Sequence, residues 1–160
     1  MNRCSLFAPH FARHVTAVLL LASAVVAHGA TTPVDDSGTV VLTPTVKMGW
    51  PTPLPCGRAS ALMTGTTPVR VRLNVTPWLR HAGRIYLLLP AQPPGSIHAS
   101  WTTQGRLLPG QLVSGTRALV YSGPITAPFI EDLLQLSIMV DGKQLTQAYD
   151  INFRFEMDSP

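Results

Sequence analysis

Apolar and polar side chains alternate along much of the second half of the chain. Residues 69–75 place Val or Leu at every other position, with Arg or Asn between them. This period of two predicts a strand with one buried face. Residues 97–101 alternate in the same way, and short apolar runs predict further strands at residues 39–42, 84–89, 117–121 and 134–140. About seven to eight short strands with almost no helix predict an all-β fold, an antiparallel β-sandwich.

The clearest alternation runs from Tyr149 to Asp158. Its apolar positions are Tyr149, Ile151, Phe153, Phe155 and Met157. A slip of one residue would turn all of them toward solvent, so the register of this last strand is well specified. Its polar face carries charges of both signs, which would pair with Arg70 and Arg72 if the two strands were neighbours.

Three other segments carry local signals. Ala127–Leu133 has Pro128 near its start, which favours one helical turn. Asp141–Gly142 is the strongest hairpin signal in the chain. Residues 43–59 are rich in Pro and Gly and predict an ordered loop or an edge segment.

Residues 130–136, with the sequence IEDLLQL, are loosely similar to the corner before the penultimate strand of immunoglobulin-like domains. The sequence has neither the disulfide pair nor the corner Tyr of that family. The resemblance therefore implies an analogy of fold alone.

The first thirty residues have the organisation of a signal peptide. A short basic segment precedes 13 apolar or small residues, VTAVLLLASAVVA, which are too few to span a membrane. Small residues at Ala27, Gly29 and Ala30 allow cleavage between residues 27 and 30. We therefore expect a signal peptide over 1–30, a Pro- and Gly-rich leader with a first short strand over 31–68, and the main body of a single β-sandwich domain over 69–160. Export implies a secreted or periplasmic protein.

The charge balance excludes some classes of partner. The chain has 160 residues, with 12 Lys and Arg against 8 Asp and Glu. Loss of Arg3 and Arg13 with the signal peptide leaves 10 basic residues against the same 8 acids. A net charge this small does not predict nucleic-acid binding. Cys56 becomes the only thiol, either free or in an intermolecular disulfide, so the domain must rely on its apolar core.

Catalytic signatures are missing from the sequence. It has no Gly-x-Ser-x-Gly elbow and no Cys-x-x-Cys pair, and its acidic pairs lack the spacing of a calcium loop. We therefore predict a protein that is not an enzyme and has no cofactor and no metal site.

Trp50, Trp78, Arg80 and His81 are the candidate binding residues. Exposed Trp with Arg nearby is typical of interface hot spots, and indole rings also stack on sugars. Trp50 and Trp78 equally fit loop residues that fold over the edge of the sandwich. Trp101 lies on the apolar face of its strand, so we expect it in the core.

The leading functional interpretation is an exported, non-catalytic protein that binds another macromolecule in the envelope or outside the cell. A surface antigen, an envelope-assembly accessory and a host-contact factor all fit this description, with a protein or a glycan as partner. A carbohydrate-binding module is an alternative if Trp50 and Trp78 are coplanar and exposed on one face. A small periplasmic enzyme inhibitor is another, using the rigid loop from Pro51 to Gly57. No membrane span is expected after processing, and the oligomeric state stays open.

Overall fold

The computed structural model describes residues 31–50, 61–91, 96–143 and 150–158. The signal peptide, Cys56, the loop from Pro51 to Gly57 and Tyr149 lie outside these ranges. The described residues form nine strands in two antiparallel sheets. The predicted all-β sandwich is thus confirmed.

The strands, in chain order, are β1 (Thr31–Pro33), β2 (Val40–Val41), β3 (Leu62–Asn74), β4 (Ala82–Leu89), β5 (His98–Thr103), β6 (Gly110–Val113), β7 (Thr116–Pro124), β8 (Phe129–Asp141) and β9 (Arg154–Asp158). The four-stranded sheet has the order β1-β9-β4-β7, and the five-stranded sheet has the order β2-β3-β8-β5-β6. One 3-10 turn, Thr76–Trp78, follows β3. None of the described residues form a helix long and apolar enough to cross a membrane.

The core lies between the inner faces of the two sheets. Val71 and Leu73 of β3, Ile85 of β4 and Met157 of β9 are completely buried. At about 1.5–3 kcal/mol for each large side chain, such burial is the main source of stability in a domain with no described disulfide. Trp101 is buried as predicted, and its Nε1 donates a hydrogen bond to the Leu108 carbonyl at 3.0 Å.

The strand predicted at residues 69–75 begins earlier, at Leu62. Pro68 is tolerated inside β3 because its nitrogen faces β2, on the side where its carbonyl accepts from Leu42 N at 3.0 Å. The missing N–H therefore removes no bond to β8. β3 and β8 pair without interruption from Leu62 opposite Asp141 to Asn74 opposite Phe129.

The helical turn predicted at residues 127–133 is wrong. Strand β8 begins at Phe129 and continues to Asp141. Alternate residues from Ile130 to Val140 are buried against the other sheet. Asp132 occupies one of these inward positions, and a carboxylate among apolar residues hid the period of two.

At Asp141–Gly142, where a hairpin is predicted, no hairpin joins β8 to the next described strand, and residues 144–149 lie outside the described residues. β8 and the next described strand, β9, lie in different sheets, and β9 pairs with β1 and β4. The main-chain N–H of Gly142 instead extends the β3–β8 ladder, donating to Ala61 O at 2.6 Å.

The predicted alternation of the last strand holds at its end. Phe155 and Met157 are buried, whereas the neighbouring Arg154 is exposed. The expected pairing of its charges with Arg70 and Arg72 does not occur, because β3 is in the other sheet. Arg72 pairs with Glu131, and Arg117 of β7 pairs with Asp158 of β9.

Candidate binding surfaces

The turn between β3 and β4 carries three of the four predicted binding residues. Pro77 lies in its first helical positions, where the absent N–H costs nothing. Trp78 N donates to Val75 O at 3.0 Å, and His81 N donates to Trp78 O at 3.1 Å. These short-range bonds fix the path of the chain as it crosses from one sheet to the other.

Residues 125–128, which follow β7, form main-chain hydrogen bonds with the same turn. Arg80 N donates to Ile125 O, and Ile125 N donates to His81 O, both at 2.8 Å. Val75 N donates to Pro128 O at the same distance. The turn is therefore fixed on both sides by main-chain hydrogen bonds. These bonds make its backbone a rigid support for its side chains.

Asn74 supports the start of the turn. Its Oδ1 accepts bonds from Thr76 N at 3.2 Å and from Thr76 Oγ1 at 2.7 Å, while its Nδ2 donates to Asp35 Oδ2 at 3.4 Å. Hydrogen bonds lower the pKa of Asp35, those from Ser37 more than the one from Asn74. Burial raises the pKa of the neighbouring Asp36.

Arg80 has an unusual backbone conformation. Its φ is 67°, and no other described residue except glycine has a positive φ. A side chain in this left-handed region costs roughly 1–2 kcal/mol. Arg80 is exposed, and its guanidinium has no ion pair or hydrogen bond among the described residues.

His81 is exposed beside Arg80, and its ring Nδ1 lies 3.0 Å from Leu79 O. Trp78 differs from both because it is half-buried and packs against the core. The turn thus presents a cation and an imidazole to solvent and uses its indole for packing.

Trp50 lies far from this turn. It follows Gly49, which bridges Thr64 near the start of β3, whereas Trp78 follows the end of β3 at Asn74. At about 3.3 Å per residue the two ends are roughly 33 Å apart. Trp50 is 54% exposed, but the two indoles do not share a stacking surface.

An open groove lies beside the start of β3. It has a volume of about 460 Å³ and is lined by Thr43, Thr45, Val46, Lys47, Gly49, Thr64, Gly65 and Thr66. The segment 46–48 closes over Gly65, which has no Cβ to prevent the approach. Sequence reasoning missed this groove because its threonines come from two distant segments, and no local pattern joins them.

The outer face of the four-stranded sheet is held together by charge. The Arg117 guanidinium donates two bonds of 3.0 Å to the Asp158 carboxylate and lies 4.3 Å from the centre of the Tyr86 ring. The bond from Arg117 lowers the pKa of Asp158, and the same bond raises the pKa of Arg117. Thr31 Oγ1 also donates to Asp158, at 2.9 Å, so this network fastens β1 to β9.

Among the described residues, no three His, Cys, Asp or Glu side chains come together in a group that could hold a metal ion. Comparison with known protein families, characterised proteins and solved structures gave no match.

Proposed function

We propose that the chain is an exported, non-catalytic protein that binds another macromolecule through the turn carrying Arg80 and His81. The observation that carries the proposal is an exposed arginine whose guanidinium has no ion pair or hydrogen bond within the described part of the chain, held in a strained conformation by main-chain hydrogen bonds on both sides. The partner in this proposal is a protein of the envelope or of the medium outside the cell.

Rigidity is what makes such a turn suited to binding. Ordering a loop or an arginine side chain on association opposes affinity, and a turn that is already fixed avoids part of that cost. Backbone strain persists only where the surrounding structure enforces it, and it clusters at binding and active sites. Arg is also among the residues most enriched at interface hot spots.

Neither alternative function has an observation in its favour. The carbohydrate-binding interpretation needed Trp50 and Trp78 on one face, and they lie near opposite ends of β3. The inhibitor interpretation rests on the loop from Pro51 to Gly57, which lies outside the described residues.

The test is chemical cross-linking of tagged, processed protein in its own envelope and culture medium, followed by pull-down and mass spectrometry. We expect a stoichiometric partner with the wild type and with Arg154→Ala, which removes an exposed arginine from β9. We expect that partner to be lost with Arg80→Ala. Recovery of the same partner at the same yield with Arg80→Ala would refute the role of the turn, and no enriched partner with the wild type would refute the function.

A second substitution separates binding from folding. Arg80→Gly relieves the left-handed strain. Its free energy of unfolding, measured with urea, should therefore exceed that of Arg80→Ala by about 1 kcal/mol. It should nevertheless fail to bind, because the guanidinium is gone. A variant that is more stable and does not bind excludes general unfolding as the cause of lost binding.

A further inference from the structure

The free edge of the five-stranded sheet is apolar and carries no charge within the strand. Among the described residues, β2 is the last strand on this side, and three consecutive residues, Val40, Val41 and Leu42, are 49%, 42% and 45% exposed. Edge strands of soluble proteins are usually protected by charges, Pro or bulges. The edge strand of the other sheet, β1, contains Pro33, whereas Gly38 to Thr43 contain neither a charge nor a Pro, and β2 is protected by its shortness alone.

The main-chain N–H and C=O of Val41 are directed away from β3. Leu42 N donates to Pro68 O at 3.0 Å, and Val40 is the residue opposite Arg70. Because main-chain groups alternate in direction along a strand, Val41 directs its N–H and its C=O to the free edge. One residue therefore presents both a donor and an acceptor, beside apolar side chains on each side.

The exposed edge of β2 is self-complementary. If a second copy runs antiparallel with Val41 opposite Val41, the two residues exchange both main-chain bonds as a hydrogen-bonded pair. Val40 then lies opposite Leu42 of the second copy, so the exposed apolar side chains cover each other.

The charges around β2 fit the same pairing. Asp35 and Asp36 precede the strand and Lys47 follows it, so an antiparallel copy brings the acidic end of one strand toward the basic end of the other. The two copies of Arg70 are three strand spacings apart, about 14 Å, a distance at which salt screens their repulsion. A two-fold axis through Val41 is also the commonest symmetry of soluble oligomers.

We propose that two copies of this chain associate edge to edge through β2, with the two-fold axis at Val41, and join their five-stranded sheets into one. This inference does not rest on the proposed function, because the turn with Arg80 and the β2 edge are separate surfaces. The paired strands are short, so the dimer is expected to form at high protein concentration and to dissociate on dilution.

The first test is sedimentation velocity of the processed protein over a range of concentrations. Val41→Pro removes the outward N–H without removing any bond to β3, and Val41→Thr keeps the N–H with nearly the same shape. We expect wild type and Val41→Thr to dimerise alike, and the dimer dissociation constant of Val41→Pro to rise about tenfold or more. Thermal unfolding checks that Val41→Pro remains folded.

A covalent trap tests the register and does not depend on how Val41→Pro folds. The Cα atoms of a hydrogen-bonded antiparallel pair are about 5.5 Å apart, which suits a disulfide. In a Cys56→Ser background, Val41→Cys should give a disulfide-linked dimer on mild oxidation, and Thr32→Cys on the β1 edge should not.

Three results would overturn the proposal: a wild type that is monomeric at all concentrations, equal dimerisation of Val41→Pro, or equal trapping of the two Cys variants. A monomeric wild type whose pulled-down partner is lost with Val41→Pro would show that the edge pairs with a different protein. Arg80→Ala is expected to dimerise like the wild type, so failure of the dimer is distinguishable from failure of the proposed function.

Discussion

At the scale of single residues, Asp132 is the clearest example of a polar group required inside the core. Its side chain is 8% exposed on the inner face of β8. Its carboxylate accepts main-chain bonds from Gln104 at 3.2 Å, from Leu107 at 2.7 Å and from Leu133 at 2.7 Å. One side chain thus anchors the connection between β5 and β6, and these donors offset the cost of burying the carboxylate.

Asp132→Asn should therefore be strongly destabilising. The amide keeps one acceptor oxygen and turns its NH₂ toward main-chain donors, so at least one buried N–H loses its partner. We expect a loss of about 2–3 kcal/mol in the free energy of unfolding, measured with urea. Glu131→Gln is the control on the neighbouring residue, where an exposed pair with Arg72 is worth less than about 1 kcal/mol. Equal losses in the two variants would contradict this account.

At the scale of elements, Gly65 allows the segment 46–48 to close the edge of β3. A Cβ at this position would lie 2.5 Å from Val46 Cγ1 and 2.7 Å from Met48 Sδ. Gly65→Ala should displace the segment and cost about 1–3 kcal/mol. Gly49→Ala is the matched control, because its Cβ would meet nothing within 4 Å, so we expect a change of about 0.5 kcal/mol or less. Thermal unfolding of both variants tests the difference.

The attachment of β1 to β9 should depend on pH. The folded-state pKa of Asp158 lies below its ordinary value, mainly through the bond from Arg117. Its contribution is therefore fully present above the unfolded pKa of about 3.9 and is lost as pH falls through the lower folded value. We expect about 0.5–1 kcal/mol, since solvent screens the pair.

Asp158→Asn tests this dependence. It should be less stable than the wild type at pH 7 by that amount, and the two proteins should converge as the pH falls through the lowered folded-state pKa of Asp158. Amide hydrogen exchange of β1 should speed up in the variant at pH 7. A stability difference that stays constant from pH 7 to pH 3 would refute the assignment.

The predictability of these elements follows from the range of the interactions that define them. Strands such as β4 could be predicted because their signal is local: Ile85, Leu87 and Leu89 of its inner face lie within one short apolar run. The sheet joined by the strand after Asp141–Gly142 could not be predicted, because a local turn signal does not determine the pairing of the next strand. The start of β3 was hidden by Gly65 and Pro68, whose tolerance depends on the neighbouring segment.

Candidate sites divide in the same way. The sequence identified Arg80 and His81 as polar residues in a loop, and the structure places both at the surface of one turn. The sequence could not show that Trp78, unlike Arg80 and His81, is half-buried, since the packing of this indole on the core depends on residues distant in sequence. The sequence also gives no indication of the positive φ of Arg80, because Gly or Asn is the residue that usually marks such a position.

At the scale of the whole molecule, the chain should fold as one cooperative unit from Thr31 onward. Strand β3 runs across residue 68, and its residues 62–68 pair with residues 135–141 of β8, seven of the thirteen pairs between these strands. A fragment of residues 69–160 would lose these pairs together with β1 and β2, and the inner face of β8 around Ile138 would meet water. We expect residues 31–160 to unfold in a single transition with the stability of the processed protein, and residues 69–160 to show no cooperative transition and poor dispersion in NMR spectra. A cooperative, well-dispersed 69–160 fragment would show instead that the segment before residue 69 is an addition to a core that is complete without it.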